Sequence, residues 1–119
     1  MEALTQQLKK GSLEIIVMQC LAEQDCYGYE LITMLNERSG GYYSLREGSL
    51  YPVLYRLESK QLVTNYQQIY EGERRVPRKY YRITERGLIT LERMREAWEK
   101  HKEATDRLLG ISNGGGKRQ

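Results

Sequence analysis

Apolar residues recur along this chain with two different periods, and the switches between them mark its elements. Leu13, Ile16, Val17, Cys20 and Leu21 fall at i, i+3, i+4, i+7 and i+8, which is one face of a helix. A second set, Leu4, Leu8, Ile15 and Met18, lies on a different side of the same N-terminal helical region. Two apolar faces imply two neighbours, a second chain being a candidate for one of them. After a break at Gln24-Asp25, a second helix is predicted from Tyr27 to Arg38, with Leu31, Met34 and Leu35 turned inward. Ser39-Gly40-Gly41 ends it, because glycine takes the left-handed conformation that closes a helix.

A short extended piece, Tyr42 to Leu45, leads into a third helix containing Gly48-Ser49-Leu50-Tyr51-Pro52. Leu50, Val53, Leu54 and Leu57 form its narrow apolar stripe. Burying each should stabilise the fold by about 1.5–3 kcal/mol as an upper value. The other side then presents Tyr51, Pro52, Tyr55, Arg56 and Ser59, where an ordinary surface helix would carry Lys and Glu. If Ser49 caps this helix, Pro52 sits in the first turn and its missing N–H costs nothing. If the helix starts nearer Glu47, Pro52 removes the bond to the Gly48 carbonyl. The sequence leaves both starts open.

The period then drops to two. Leu62 to Tyr70 and Lys79 to Thr84 read as strands, with Tyr81 and Ile83 on one face and Tyr80 and Arg82 on the other. The polar segment between them is rich in turn residues and basic charge. Helix, helix, short strand, helix, strand, strand is the order of a winged helix-turn-helix. Thr84 is placed to cap a last helix from Glu85 to about Leu109, on the order of 36 Å long. Leu91, Met94, Trp98, His101, Thr105 and Leu108 follow a heptad-like seam along it. That seam packs either on the N-terminal helix of its own chain or on a second subunit, and a long projecting helix suits the second. The expected fold is mainly α with a small β-hairpin wing. Its DNA-binding unit spans residues 1–84, a dimerisation helix 85–111 and a disordered tail 112–119.

Composition narrows the function. With 119 residues there is room for one core. The large aromatics are 10 Tyr and 1 Trp with no Phe, so each carries a polar group that can meet water or a partner. The net charge of +3 is modest, but Arg74, Arg75, Arg78, Lys79, Arg82 and Arg86 cluster with a single acid, Glu85. Such a local concentration suits a binding patch or a solvated face. Cys20, Cys26 and the single His101 cannot assemble a zinc site, and Cys20 falls on an apolar helix face. No nucleophile–base pairing or phosphate loop recommends an enzyme, and no metal or cofactor is expected. Gly114-Gly115-Gly116 belongs to the tail. No apolar run approaches a membrane span, and MEALTQQLKK lacks a signal-peptide core, so a cytoplasmic protein is expected.

Three stretches together resemble the PadR family of bacterial transcriptional regulators: Tyr27-Gly28-Tyr29-Glu30, then Glu47-Gly48-Ser49-Leu50-Tyr51-Pro52 with Leu57-Glu58, then Pro77-Arg78-Lys79-Tyr80-Tyr81-Arg82-Ile83-Thr84 with Gly87. The resemblance covers nearly the whole chain. It implies a homodimeric winged-helix repressor at the nucleoid, on a roughly palindromic operator, released in some members by a phenolic acid or cationic drug. Glu73-Arg74-Arg75-Val76 replaces the glycine-rich wing common in that family, and Tyr55 occupies a variable position, so no operator follows by analogy.

On this reading Ser49, Tyr51, Pro52, Tyr55, Arg56 and Ser59 face DNA from the third helix, and Arg74, Arg75, Arg78 and Lys79 from the wing. For Tyr51 and Tyr55 the competing role is packing on the wing or another helix. Leu4, Leu8, Leu91, Met94, Trp98, His101, Thr105 and Leu108 are the candidate dimer interface. Trp98, with Met94, Ala97, Leu8, Ile15 and Met18, could sandwich a flat aromatic or cationic effector, or could be interface packing alone. A winged-helix module that binds another protein is the alternative function, against which the basic wing argues.

Overall fold

The computed structural model describes residues 2–69 and 77–111. The elements are α1 (Glu2–Lys10), α2 (Leu13–Glu23), β1 (Cys26–Tyr27), α3 (Gly28–Arg38), α4 (Glu47–Ser59), β2 (Val63–Ile69), β3 (Pro77–Ile83) and α5 (Glu85–Leu109). The N-terminal region is thus two helices broken at Gly11-Ser12, not one helix with two faces. Ser12 starts α2 without capping it, since its hydroxyl turns back to the Lys9 carbonyl (3.1 Å) and also meets the Tyr43 hydroxyl. α2 is apolar on most sides and becomes the central helix, touching α3, α4, α5 and β3. Met18, expected on a second apolar face that meets another neighbour or an effector, is fully buried in the chain's own core beside Val17 and Leu21. With almost the whole of α2 enclosed, the helical period no longer separates an inner from an outer side.

The sheet is antiparallel with strand order β1-β3-β2. Its short strand lies before α3, where Cys26 and Tyr27 pair with Tyr81 and Tyr80. The extended piece expected at Tyr42 to Leu45 is not a strand. Two residues are too few to show alternation, so only the pairing partner in β3 reveals β1. β2 and β3 form the expected hairpin, in register from Val63 opposite Ile83 to Ile69 opposite Pro77.

Local chemistry sets the helix ends. Glu30 accepts a bond from the Tyr27 N–H (3.2 Å) at the start of α3. Gly40 and Gly41 take left-handed angles just past its end, as anticipated. α4 starts at Glu47 after Arg46, so Pro52 stands inside the helix and leaves the Gly48 carbonyl without its usual donor. α4 closes through Gln61 at φ +63°, with Leu62 N–H bonded to the Leu57 carbonyl (2.9 Å). Thr84 caps α5 by accepting from the Gly87 N–H (2.9 Å).

The core gathers Leu13, Val17, Met18, Leu21, Leu31, Leu35, Leu50, Val53, Leu54, Leu57, Val63 and Tyr81 around α2. α5 reaches it mainly through Leu91, with Met94 packed at its edge. Beyond that point the helix runs on with mostly exposed residues. The radius of gyration is 16.8 Å, above the roughly 13.5 Å of a compact domain this size.

Candidate nucleic-acid interface and the Trp98 groove

α4 is divided as its sequence demands. Leu50, Val53, Leu54 and Leu57 are buried, and every residue expected to face outward is exposed. Tyr55 is 72% exposed, well above Tyr51 on the same helix. Tyr51, at 40%, is partly packed: its hydroxyl lies so close to Gly28 that a Cβ there would stand 2.2 Å away. Burial, then the nearby Glu47 carboxylate, pushes the Tyr51 phenol above its ordinary pKa. Of the roles weighed for Tyr51, packing on another helix is present, while part of the ring stays exposed. Ser49 is the third helical residue rather than a cap, and its N–H bonds to the Arg46 carbonyl (3.0 Å). Ser59 turns its hydroxyl to the Tyr55 carbonyl (3.1 Å).

Arg56 has a partner that the sequence did not reveal. Its Nε donates to Glu14 Oε2 (3.2 Å) on α2, and Lys60 Nζ reaches Oε1 of the same carboxylate at 3.4 Å. The contact uses Nε and not the two terminal nitrogens of the guanidinium. Glu14 and Arg56 are 42 positions apart, so no local spacing could have joined them.

The wing carries two different faces. Lys79 and its opposite neighbour Gln67 lie on the face that Tyr81 and Asn65 turn toward α4, where Asn65 donates to Glu58. On the other face Tyr80 meets Tyr27 edge-on (5.4 Å) and stacks on Tyr66 (5.7 Å). Arg78 lies 4.5 Å over the Tyr27 ring and Arg82 5.0 Å over Tyr66. Asp25 closes this ladder, accepting from the Tyr66 hydroxyl (2.7 Å) and from Arg82 Nε (3.2 Å). Its hydrogen bond is the first cause of the raised Tyr66 pKa, ahead of burial. The ladder gives Tyr80 its role, which depends on strand register. Arg74 and Arg75 lie outside the described residues.

A groove of about 340 Å³ runs beside Trp98, lined by Ser12, Ile15, Ile16, Gln19, Tyr43, Arg95, Trp98 and Glu99. Of the expected effector residues it includes Ile15 and Trp98. Met18 is in the core, Met94 packs at the core edge, and Leu8 and Ala97 are exposed elsewhere. The polar wall (Gln19, Arg95, Glu99) is not marked by an apolar period in the sequence. Arg95 donates to Gln19 (2.9 Å), Gln19 to Glu23 (3.0 Å), and Arg38 forms two bonds to Glu23 (2.6 and 3.1 Å). The Arg38 bond is the main reason the Glu23 carboxyl sits below its ordinary pKa.

Along the expected dimer surface, Leu4, Leu8, Trp98, His101 and Leu108 are exposed and Thr105 is half-buried. Leu91 belongs instead to the chain's own core, because α5 docks on α2 there. No helix among the described residues is long and apolar enough to cross a membrane.

A helix pair, α3 and α4, followed by an antiparallel hairpin defines a winged helix-turn-helix protein with a long C-terminal helix added. The chain belongs to the transcriptional regulator PadR-like family, whose model matches residues 17–93. Protein X of Lysinibacillus sphaericus, uncharacterized, is 34% identical over 82% of this chain and 87% of its own. The crystal structure of a PadR family transcriptional regulator from Eggerthella lenta superposes with a TM-score of 0.79 at 30% identity, covering 93% of each chain. That of a PadR-like transcriptional regulator from Bacillus cereus gives 0.74 at 33% identity, over 89% of this chain and 99% of the other. The protein is a DNA-binding transcriptional regulator and not an enzyme.

Proposed function

We propose that this regulator is a homodimeric repressor that reads a roughly palindromic operator with the outer face of α4. The observation that carries this is the division of α4: a fully buried stripe of Leu50, Val53, Leu54 and Leu57 opposite an exposed face of Tyr51, Pro52, Tyr55, Arg56 and Ser59. The inner residues account for folding, and the exposed parts of the outer face, Tyr55 above all, are free to meet a partner. Phenols and a guanidinium suit base edges, thymine methyls and phosphates in a major groove. Lys79 and the basic wing residues Arg74, Arg75 and Arg78 supply backbone contact beside it.

The exposed leucines of α1 and α5, with Trp98, favour a second copy as the partner of those helices. Palindromic recognition follows from such a two-fold dimer. The Trp98 groove is the proposed site for a flat aromatic or cationic effector that lowers DNA affinity.

Affinity selection from a random duplex pool, followed by binding to the recovered duplex, tests this reading. Recovery of a two-fold-related sequence is expected, with light scattering at twice the 14.0 kDa chain mass. Equal affinity for the recovered duplex and a scrambled duplex would refute sequence reading. Quenching of Trp98 fluorescence by a panel of planar aromatic acids and cations, with loss of the bound duplex, would support the effector site.

A further inference from the structure

We propose that Glu14 of α2 is a specificity-determining residue, acting through Arg56; this rests on α4 being the DNA-reading helix. Both carboxylate oxygens are engaged, Oε2 by Arg56 at 3.2 Å and Oε1 by Lys60 at 3.4 Å. With both oxygens engaged by cations of α4 and its C-terminal end, the carboxylate biases Arg56 toward one orientation relative to α2. The side chains are 24% exposed at Glu14, 53% at Arg56 and 55% at Lys60. Ion pairs this open to water contribute little to stability, which leaves their placement to be explained.

Two effects follow for DNA. Arginine is a long side chain whose ordering opposes binding, and Glu14 orders it beforehand. The carboxylate also cancels one of the two positive charges, so Arg56 and Lys60 together attract any phosphate less. Non-specific binding is electrostatic, whereas a directed guanidinium fork distinguishes base edges. Glu14 thereby shifts Arg56 from indiscriminate phosphate attraction toward sequence discrimination.

The test uses the full-length protein, the duplex recovered by selection with wild type, and a scrambled duplex of the same composition, each over a salt series. In Glu14→Gln, scrambled-duplex affinity should rise, and its salt slope should steepen by about 0.9, the value for one added phosphate contact. Discrimination between the duplexes should fall about fivefold, the worth of ordering one long side chain. Glu14→Asp keeps the charge but is one methylene shorter and draws the carboxylate back from both cations, so it should lose discrimination without steepening the slope. In an Arg56→Ala background, Glu14→Gln should leave discrimination where Arg56→Ala put it. Thermal unfolding of each variant checks the fold, and a purely structural role would lower the midpoint while keeping the ratio of affinities. Lost discrimination in Arg56→Ala with full discrimination in both Glu14 variants overturns the role of Glu14 and leaves α4 as the reading helix. Full discrimination in Arg56→Ala as well overturns the place of Arg56 in the reading face.

Discussion

Single residues bind the family motifs to the geometry of α4. Gly28 opens α3 where the Tyr51 hydroxyl rests, and a Cβ at that point would collide with it. Gly28→Ala should therefore displace the Tyr51 ring and weaken binding to the selected duplex by about tenfold, a base-contact-sized loss. Its unfolding midpoint should change little, because what must give is the far end of a side chain rather than backbone; binding and thermal unfolding measured together check this. Gly87 is the harsher case. A Cβ there would meet the Leu62 carbonyl at 2.2 Å and Ile83 Cγ1 at 2.6 Å, and backbone cannot step aside. Gly87→Ala should cost about 1–3 kcal/mol or more in denaturant unfolding. Gln61 goes the other way. It holds φ +63° to close α4, a conformation that strains a side chain and suits glycine. Gln61→Gly should gain up to about 1 kcal/mol in the same assay.

At the scale of elements, the sequence was most legible where burial was one-sided. The stripe of α4, the alternation of Tyr81 against Tyr80, the cap at Thr84 and the full length of α5 all follow from local pattern. What it concealed depended on distant pairing. β1 has two residues and exists only because Tyr80 and Tyr81 receive them. α2 is enclosed on most sides, so Met18, read as part of a second face for another neighbour, is buried in the chain's own core. The bond between Glu14 and Arg56 joins positions remote in sequence, and the Tyr27–Tyr80–Tyr66 ladder needs the strand register. The exposed face of α4 was accordingly visible in outline, whereas the contacts its side chains make were not.

For the molecule as a whole, the core around α2 folds the DNA-binding unit, while α1 and the outer part of α5 extend with little to cover them. That core also sets the pH response. Burial pushes the Cys26 thiol up to about 11 and the Tyr81 phenol to about 12. Both groups stay neutral in the folded chain while the unfolded chain deprotonates from ordinary values of 9.0 and 10.0. The unfolded state then binds fewer protons, so the stability is fully present below about pH 9 and is lost as pH rises toward 12. Each group should cost on the order of 1–2 kcal/mol by about pH 11. Urea midpoints across this range should fall more gently in Tyr81→Phe than in wild type.

The central claim is that the outer face of α4 reads DNA, and Tyr55 is the side chain that tests it with least ambiguity. It is 72% exposed, so its removal leaves the core alone. The decisive measurement is the affinity of Tyr55→Ala for the selected and the scrambled duplex, at one salt concentration, beside its unfolding midpoint. A loss of about tenfold on the selected duplex, within the 1–3 kcal/mol of a base contact, with the other two values unchanged, is the predicted result. Undiminished affinity for the selected duplex would contradict it.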